Sequence, residues 1–204
     1  QARRALLGAM AANWHGGLRL SVALPFQSWQ ELDEQRRRAR ELQAEGVMLK
    51  ALDSPYLEGR KRGHWWKHKL EPYRLDAVLI YAQAGSGRRA NLFTDYTFAL
   101  WSTAEDPDEP PELVTFAKAY SGLNDQEIGE LDRWIRRHTS ERYGPVRAVE
   151  PLQVFELAFE GIQLSKRHKS GLAVRFPRIS RWRQDKPASE ADSLASARAL
   201  LERP

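Results

Sequence analysis

The sequence predicts an α+β chain: a mixed helix-and-strand N-terminal part followed by a longer β-rich part. Three observations predict it. Residues 28–46, SWQELDEQRRRARELQAEG, carry a helix start signal, with Ser28 followed three residues on by Glu31 as in a capping box. From residue 73 onward, YRLDAVLIYAQ, NLFTDYTFALW, ELVTFAKAY, PLQVFELAFEGIQ and GLAVRFPRISRWR are strand-like and separated by turn residues. A second capped helix, NDQEIGELDRWIRRHTSERYG, lies after the third of these strands.

In chain order, Leu6, Leu7, Met10 and Trp14 repeat at helical spacing. This predicts an amphipathic first helix, although Arg3, Arg4 and Ala9-Met10-Ala11 imitate a secretory leader. His15-Gly16-Gly17 stops the helix, and LRLSVALPF (18–26) alternates like a strand. The helix over 28–46 keeps its Arg36-Arg37-Arg38 run on a solvated face and ends at Gly46. VMLKAL then reads as a buried strand, DSPYLEGRKRG as a basic loop and HWWKHKL as a strand. Past Pro72 the β-rich part begins, with AGSGRRA as one turn and STAEDPDEPP as an exposed acidic, proline-rich loop. In the second helix Asn124 is the cap, Glu127 stands at the third position, and Ile128, Leu131, Trp134 and Ile135 form an apolar stripe. Ser189 to Arg203 reads as a small-residue helix, loosely held.

Five strands with a helix after the third suit an OB-fold β-barrel. Residues 1–72 hold too few elements for a complete α/β domain and read as the end of one. The expected division is 1–72, a barrel over 73–187 and a tail over 188–204.

Composition narrows the function classes. With 42% hydrophobic residues, 7 Trp, 6 Tyr and 7 Phe among 204, a real core is expected and general disorder is excluded. No apolar run is long enough to cross a bilayer, so no membrane partner is expected. The absence of cysteine excludes disulfides and thiolate metal sites and fits a reducing, cytoplasmic setting. A net charge of +5 favours a polyanionic partner.

Three places can carry chemistry. Lys67 and Lys69 alternate with His68, so on a strand both point to one face, with Trp66 and His68 on the other. Two ammonium groups side by side repel unless an anion lies between them, and a phosphate would satisfy both. The tryptophans could pack in a core and stiffen the strand; a solvated basic strand with snorkelling lysines accounts for the same residues. Glu45 precedes Gly46 at the junction of helix and strand, where a carboxylate can share Mg²⁺ with a phosphate or simply sit at a surface. Between 166 and 186 lie Lys166, Arg167, Lys169, Arg175, Arg178, Arg181, Arg183 and Lys186 against one acid, Asp185, with Phe176 and Trp182 interleaved. That density suits a phosphodiester backbone; a charged barrel edge that resists aggregation is the alternative. His64 and His68 do not form the helical pair of zinc proteases, Gly85-Ser86-Gly87 reads as a hairpin turn, and no GxxxxGK[ST] loop or nucleophilic triad occurs.

Together these stretches resemble the ATP-dependent DNA ligases of the compact bacterial type. EGVMLK (45–50), RGHWWKHK (62–69) and RFPRISRWRQDKP (175–187) resemble three of that family's motifs in order, and AYSGLNDQEI resembles its junction from barrel strand to helix. The resemblance covers nearly the whole chain. It implies a partial nucleotidyltransferase (adenylation) domain followed by an OB domain, with ATP as AMP donor, Mg²⁺, and a nicked double-stranded DNA substrate sealed through lysyl-AMP and DNA-adenylate intermediates in DNA repair. It further implies a monomer at the bacterial nucleoid. By match, Glu45 would help to hold the metal, Arg62 would contact the nucleotide, and Lys67 and Lys69 its α-phosphate. Arg183, Asp185 and Lys186 would orient pyrophosphate, and Arg175, Arg178 and Arg181 would meet DNA phosphates. One departure matters: the family's nucleophile is the lysine of K-x-D-G, which occurs nowhere in these 204 residues, whose first lysine is Lys50. The resemblance therefore implies a C-terminal portion that needs an upstream half of the ligase. A non-catalytic OB module that binds nucleic acid, or part of an RNA ligase or capping enzyme, would use similar residues.

Overall fold

The computed structural model describes residues 2–11, 13–14, 19–87, 90–102 and 110–201. It is α+β and divides into two compact units, Gln1–Leu70 and Glu71–Pro204.

The first unit contains α1 (Ala2–Ala11), α2 (Trp29–Arg38), β1 (Gly46–Lys50) and β2 (Trp65–Lys69). Ser28 Oγ accepts from Glu31 N–H at 3.2 Å, and the Glu31 carboxylate reaches back to Gln27 N–H at 2.8 Å rather than to Ser28. The helix ends at Arg38, earlier than Gly46. Gln43 takes a left-handed φ of 54°, while Ala44 N–H donates to Ala39 O at 2.8 Å and Gln43 N–H to Arg40 O at 2.9 Å. These two bonds close the turn that follows the helix in the Schellman manner and lead the chain toward β1. Gly46 opens β1 at φ 141°, where a Cβ would lie 2.3 Å from the His68 carbonyl oxygen. Only glycine lets β1 and β2 close up there. Of the strand expected over 18–26, the described residues Arg19–Phe26 form none: Val22 is 85% exposed, and among the described residues no strand pairs with them to take their backbone hydrogen bonds. Leu18 and the His15–Gly17 stop signal fall outside the described residues.

The second unit holds β3 (Tyr73–Ala84), β4 (Phe93–Trp101), β5 (Leu113–Ala119), α3 (Asp125–Arg137), β6 (Thr139–Tyr143), β7 (Val146–Val149), β8 (Val154–Phe159), β9 (Gly161–Leu164), β10 (Leu172–Arg175), β11 (Arg178–Trp182) and α4 (Leu194–Ala199). The five expected strands are the long path β11-β8-β3-β4-β5, antiparallel throughout, with α3 after the third in sequence. Ile179 N–H donates to Ser121 O at 2.9 Å, bringing β11 back to the chain just past β5. Gly122 makes that closure possible: at φ 116°, a Cβ on it would lie 1.8 Å from Ile179 O. Alternate residues of these strands turn inward, so Leu79, Phe98, Phe155, Leu157 and Phe159 form one core with Leu131 and Ile135 of α3. Asn124 and Glu127 complete a reciprocal capping box on α3.

Four expectations need correction. The helix from Asn124 stops at Arg137, because residues 139–149 form the β6–β7 hairpin around Gly144 at φ 57°. The segment 151–163 splits into β8 and β9, and 171–183 splits into β10 and β11, so β9 and β10 pair as a ribbon of their own. The tail is held rather than loose. Leu194, Ala197 and Leu200 are buried in the core, Ser193 caps α4, and Asp192 N–H donates to Asp76 O at 2.8 Å. Residues 202–204, Arg88, Arg89 and 103–109 of the acidic loop fall outside the described residues. Among the described residues no helix is long and apolar enough to cross a membrane.

Candidate phosphate-handling site

The β1–β2 ribbon of the first unit places Glu45, Lys67 and Lys69. Its register sets Gly46 opposite Lys69 and Met48 opposite Lys67. Lys69 Nζ lies 2.9 Å from Glu45 Oε2, and Leu70 N–H donates to Glu45 O at 2.9 Å. A carboxylate and an ammonium 24 positions apart in sequence thus meet at the end of the ribbon. Lys67 and Arg62 are exposed, and among the described residues neither side chain has a hydrogen-bond or ion-pair partner. The expected repulsion of the lysine pair is resolved by Glu45 holding Lys69, which leaves Lys67 as the open cation. On the opposite face His68 Nε2 is 3.9 Å from Asp33. Asp33 is committed to Arg36 and Arg37, each at 2.7 Å, and the Arg36 hydrogen bond holds its carboxyl below the usual range. Trp65 and Trp66 are 55% and 49% exposed and do not pack in a core, contrary to expectation. Lys50 Nζ sits 4.1 Å over the Trp65 ring.

The second unit gathers Arg183, Asp185 and Lys186 just after β11. Sequence reasoning missed their organiser, Asp76 of β3. Arg183 Nη1 and Lys186 Nζ both donate to Asp76 Oδ2 at 2.8 Å, and Asp76 N–H donates to Asp192 Oδ2 at 2.8 Å. The signal for it is a lone acid inside the apolar strand LDAVLI, since a buried carboxylate demands partners. Arg183 also donates to Asp185, whose carboxyl that hydrogen bond draws down to about 2; the same bond raises Arg183. Arg181 is 3.9 Å from Asp185 and Arg178 is 3.0 Å from Glu160. Arg74 binds both Glu156 and Ser180. Burial would raise the Glu156 carboxyl, but hydrogen bonds from Ser180 and Arg74 outweigh it and leave it lowered. Arg175 stacks 5.1 Å from the Phe176 ring, and Phe176 takes a left-handed φ of 52° at the exposed β10–β11 turn. A cleft of about 360 Å³ beside this cluster is lined by Trp134, Arg137, Gln153, Trp182, Arg183 and Lys186.

Glu45 is the only predicted metal ligand, and among the described residues no three His, Asp or Glu side chains converge as a metal site. A single carboxylate suits Mg²⁺, which is bound through one or two carboxylates and otherwise through phosphate and water. It does not suit a cation that needs an all-protein cage.

Residues 1–69 match the family described as ATP dependent DNA ligase domain, and residues 89–186 match ATP dependent DNA ligase C terminal region. The chain belongs to the ATP-dependent DNA ligases. Curated relatives of this ligase chain include a "Probable DNA ligase" of Koribacter versatilis, 44% identical over 171 residues, and another of Opitutus terrae, 44% identical over 162 residues. These alignments cover 84% and 79% of the chain but only 28% and 16% of the relatives, so the chain spans a minor part of their length. Among solved structures, Pmar-Lig superposes with a TM-score of 0.54 at 19% identity, covering 76% of this chain and 30% of that one. That likeness shows the fold. The sequence expectation of an ATP-dependent ligase and an α+β fold therefore holds.

Proposed function

We propose that this chain is the C-terminal portion of a ligase that seals nicks in double-stranded DNA during repair. On this reading residues 1–72 complete a nucleotidyltransferase domain and residues 73–187 form its OB domain, in the cytoplasm of a bacterium. The observation that carries it is the meeting of Glu45 and Lys69 at 2.9 Å, beside an open Lys67. Two ligase-like motifs distant in sequence lie side by side on one ribbon, with the charges a nucleotide phosphate needs.

The reaction consists of three phosphoryl displacements. A lysine Nζ attacks the ATP α-phosphorus and pyrophosphate leaves. An oxygen of the nick 5′-phosphate then attacks the same phosphorus and the lysine leaves. The 3′-hydroxyl finally attacks the 5′-phosphorus, AMP leaves and the strand is joined. In each step negative charge builds on nonbridging oxygens, and fixed cations that meet it there lower the barrier. Lys67 and Lys69 take that role at the α-phosphate and Arg62 contacts the nucleotide. Arg183, Asp185 and Lys186 orient pyrophosphate, while Arg175, Arg178 and Arg181 meet DNA phosphates. Glu45 is the residue that would hold Mg²⁺, which when bound would supply Lewis-acid neutralisation of phosphate charge. The nucleophilic lysine comes from an upstream half, because K-x-D-G does not occur among these residues.

The test is complementation. This chain and a separately made upstream half of a related ligase should each fail to seal a nicked duplex and should seal it when mixed or fused. A fused pair that binds nicked DNA without sealing it would favour a non-catalytic OB module.

A further inference from the structure

The basic stretch between Lys166 and Lys186 looks uniform in sequence, but the structure divides it. Arg178, Arg181, Arg183 and Lys186 each face a carboxylate of the same unit: Glu160, Asp185, Asp76 and Asp185, and Asp76. Lys166, Arg167 and Lys169 stand on the β9–β10 turn, are exposed, and among the described residues have no side-chain partner.

That turn is tightly built. Ser165 N–H donates to Gly171 O at 2.8 Å and Gly171 N–H to His168 O at 2.9 Å. Ser165 Oγ meets His168 Nδ1 at 2.8 Å, and buried Ser170 bonds both ways with the backbone of Leu172. Gly171 turns the chain at φ 74°, and a Cβ built on it would lie 3.9 Å from Nη2 of Arg198. Arg198 belongs to α4, whose Leu194 and Ala197, with Leu200 just after it, share the core with Leu172. The terminal helix therefore brings a fourth unpartnered cation beside the turn, and no acid among the described residues answers any of the four.

We propose that Lys166, Arg167, Lys169 and Arg198 form an anchor for the sugar–phosphate backbone of duplex DNA, distinct from the groups that handle the nucleotide. This rests on the DNA-joining reading above. Residues 163–171 contain no Phe, Tyr or Trp, so the turn lacks the stacking platform that single strands need. Cations that meet only phosphates fix position without reading sequence, and they do not distinguish a nick from continuous duplex. Because the turn is held by its own hydrogen bonds, little ordering is left for DNA to impose on it.

The experiment uses the whole chain, native and with Lys166→Gln, Arg167→Gln, Lys169→Gln and Arg198→Gln combined. Fluorescence anisotropy measures binding to a labelled intact duplex, the same duplex with one nick, and a labelled single strand, over a salt series. The variant should bind intact and nicked duplex about tenfold or more weakly at low salt. Its log–log salt dependence should be shallower by about 0.9 for each phosphate contact removed. In the complemented ligase it should raise KM for nicked DNA and leave kcat unchanged. Native binding with an unaltered slope in the variant would overturn the anchor while leaving the joining reading intact. A loss confined to single strands, or a fall in kcat at saturating DNA, would also overturn it. Absence of sealing by the native complemented enzyme would count against the joining reading alone.

Discussion

Strands β2 and β11 both carry closely spaced cations in a ligase-like motif, yet they meet them with opposite solutions. On β2, Lys69 is held by Glu45 and Lys67 stands open to solvent. Around β11, Arg183 and Lys186 converge on a buried Asp76, and Arg183 and Arg181 on Asp185. An open cation can receive a phosphate without losing anything. A cation already paired must exchange its carboxylate for the ligand, so its net gain is smaller and depends on competition with Asp76 and Asp185. Cation density in a sequence therefore does not measure the charge available to a ligand.

The contrast is broken most severely by Lys67→Ala. It should lower sealing by the complemented enzyme by about two to three orders of magnitude. It should leave the urea midpoint of the chain unmoved, since Lys67 has no side-chain partner among the described residues. Asp76→Asn should do the reverse at the level of stability. It leaves two half-buried cations facing a neutral amide, and should destabilise the second unit by about 2 kcal/mol, read from urea unfolding followed by near-UV circular dichroism. Asn124→Ala, which removes the α3 cap, should cost about 1 kcal/mol in the same assay.

The smallest effect is a titration. The Asp185 carboxyl lies near 2, below its ordinary 3.8, so its pairing is present above about pH 4 and is lost as pH falls through 2. Carbonyl-carbon NMR of Asp185 should show the low midpoint, and Arg183→Gln should bring it back toward the ordinary range. An unchanged midpoint in Arg183→Gln would remove Arg183 as its cause.

The long barrel strands and the two helix starts were legible because alternation and Ser28, Asn124 and Glu127 caps are local signals. The β6–β7 hairpin was not: Thr139–Tyr143 is mostly exposed and lacks apolar alternation, so it continues the polar face of α3 on paper. Arg19–Phe26 alternate as a strand should, yet alternation supplies no partner for the backbone. The ribbon that joins Glu45 to Lys69 could be read from matched motifs, whereas Asp76 joins Arg183 across 107 positions, a distance no local pattern spans. For α4, a run of small residues suggested weak holding. Leu194 and Ala197 of the helix and Leu200 just after it are nevertheless buried, because β3 binds the segment before it through Asp192.

On the proposed reading this chain supplies phosphate-binding cations to a lysine that lies elsewhere. Incubation of the chain with an upstream half, α-labelled ATP and Mg²⁺, followed by denaturing separation of the two polypeptides, tests it directly. Covalent label should appear on the upstream polypeptide and none on this chain, whether alone or mixed. Covalent label on this chain would contradict it.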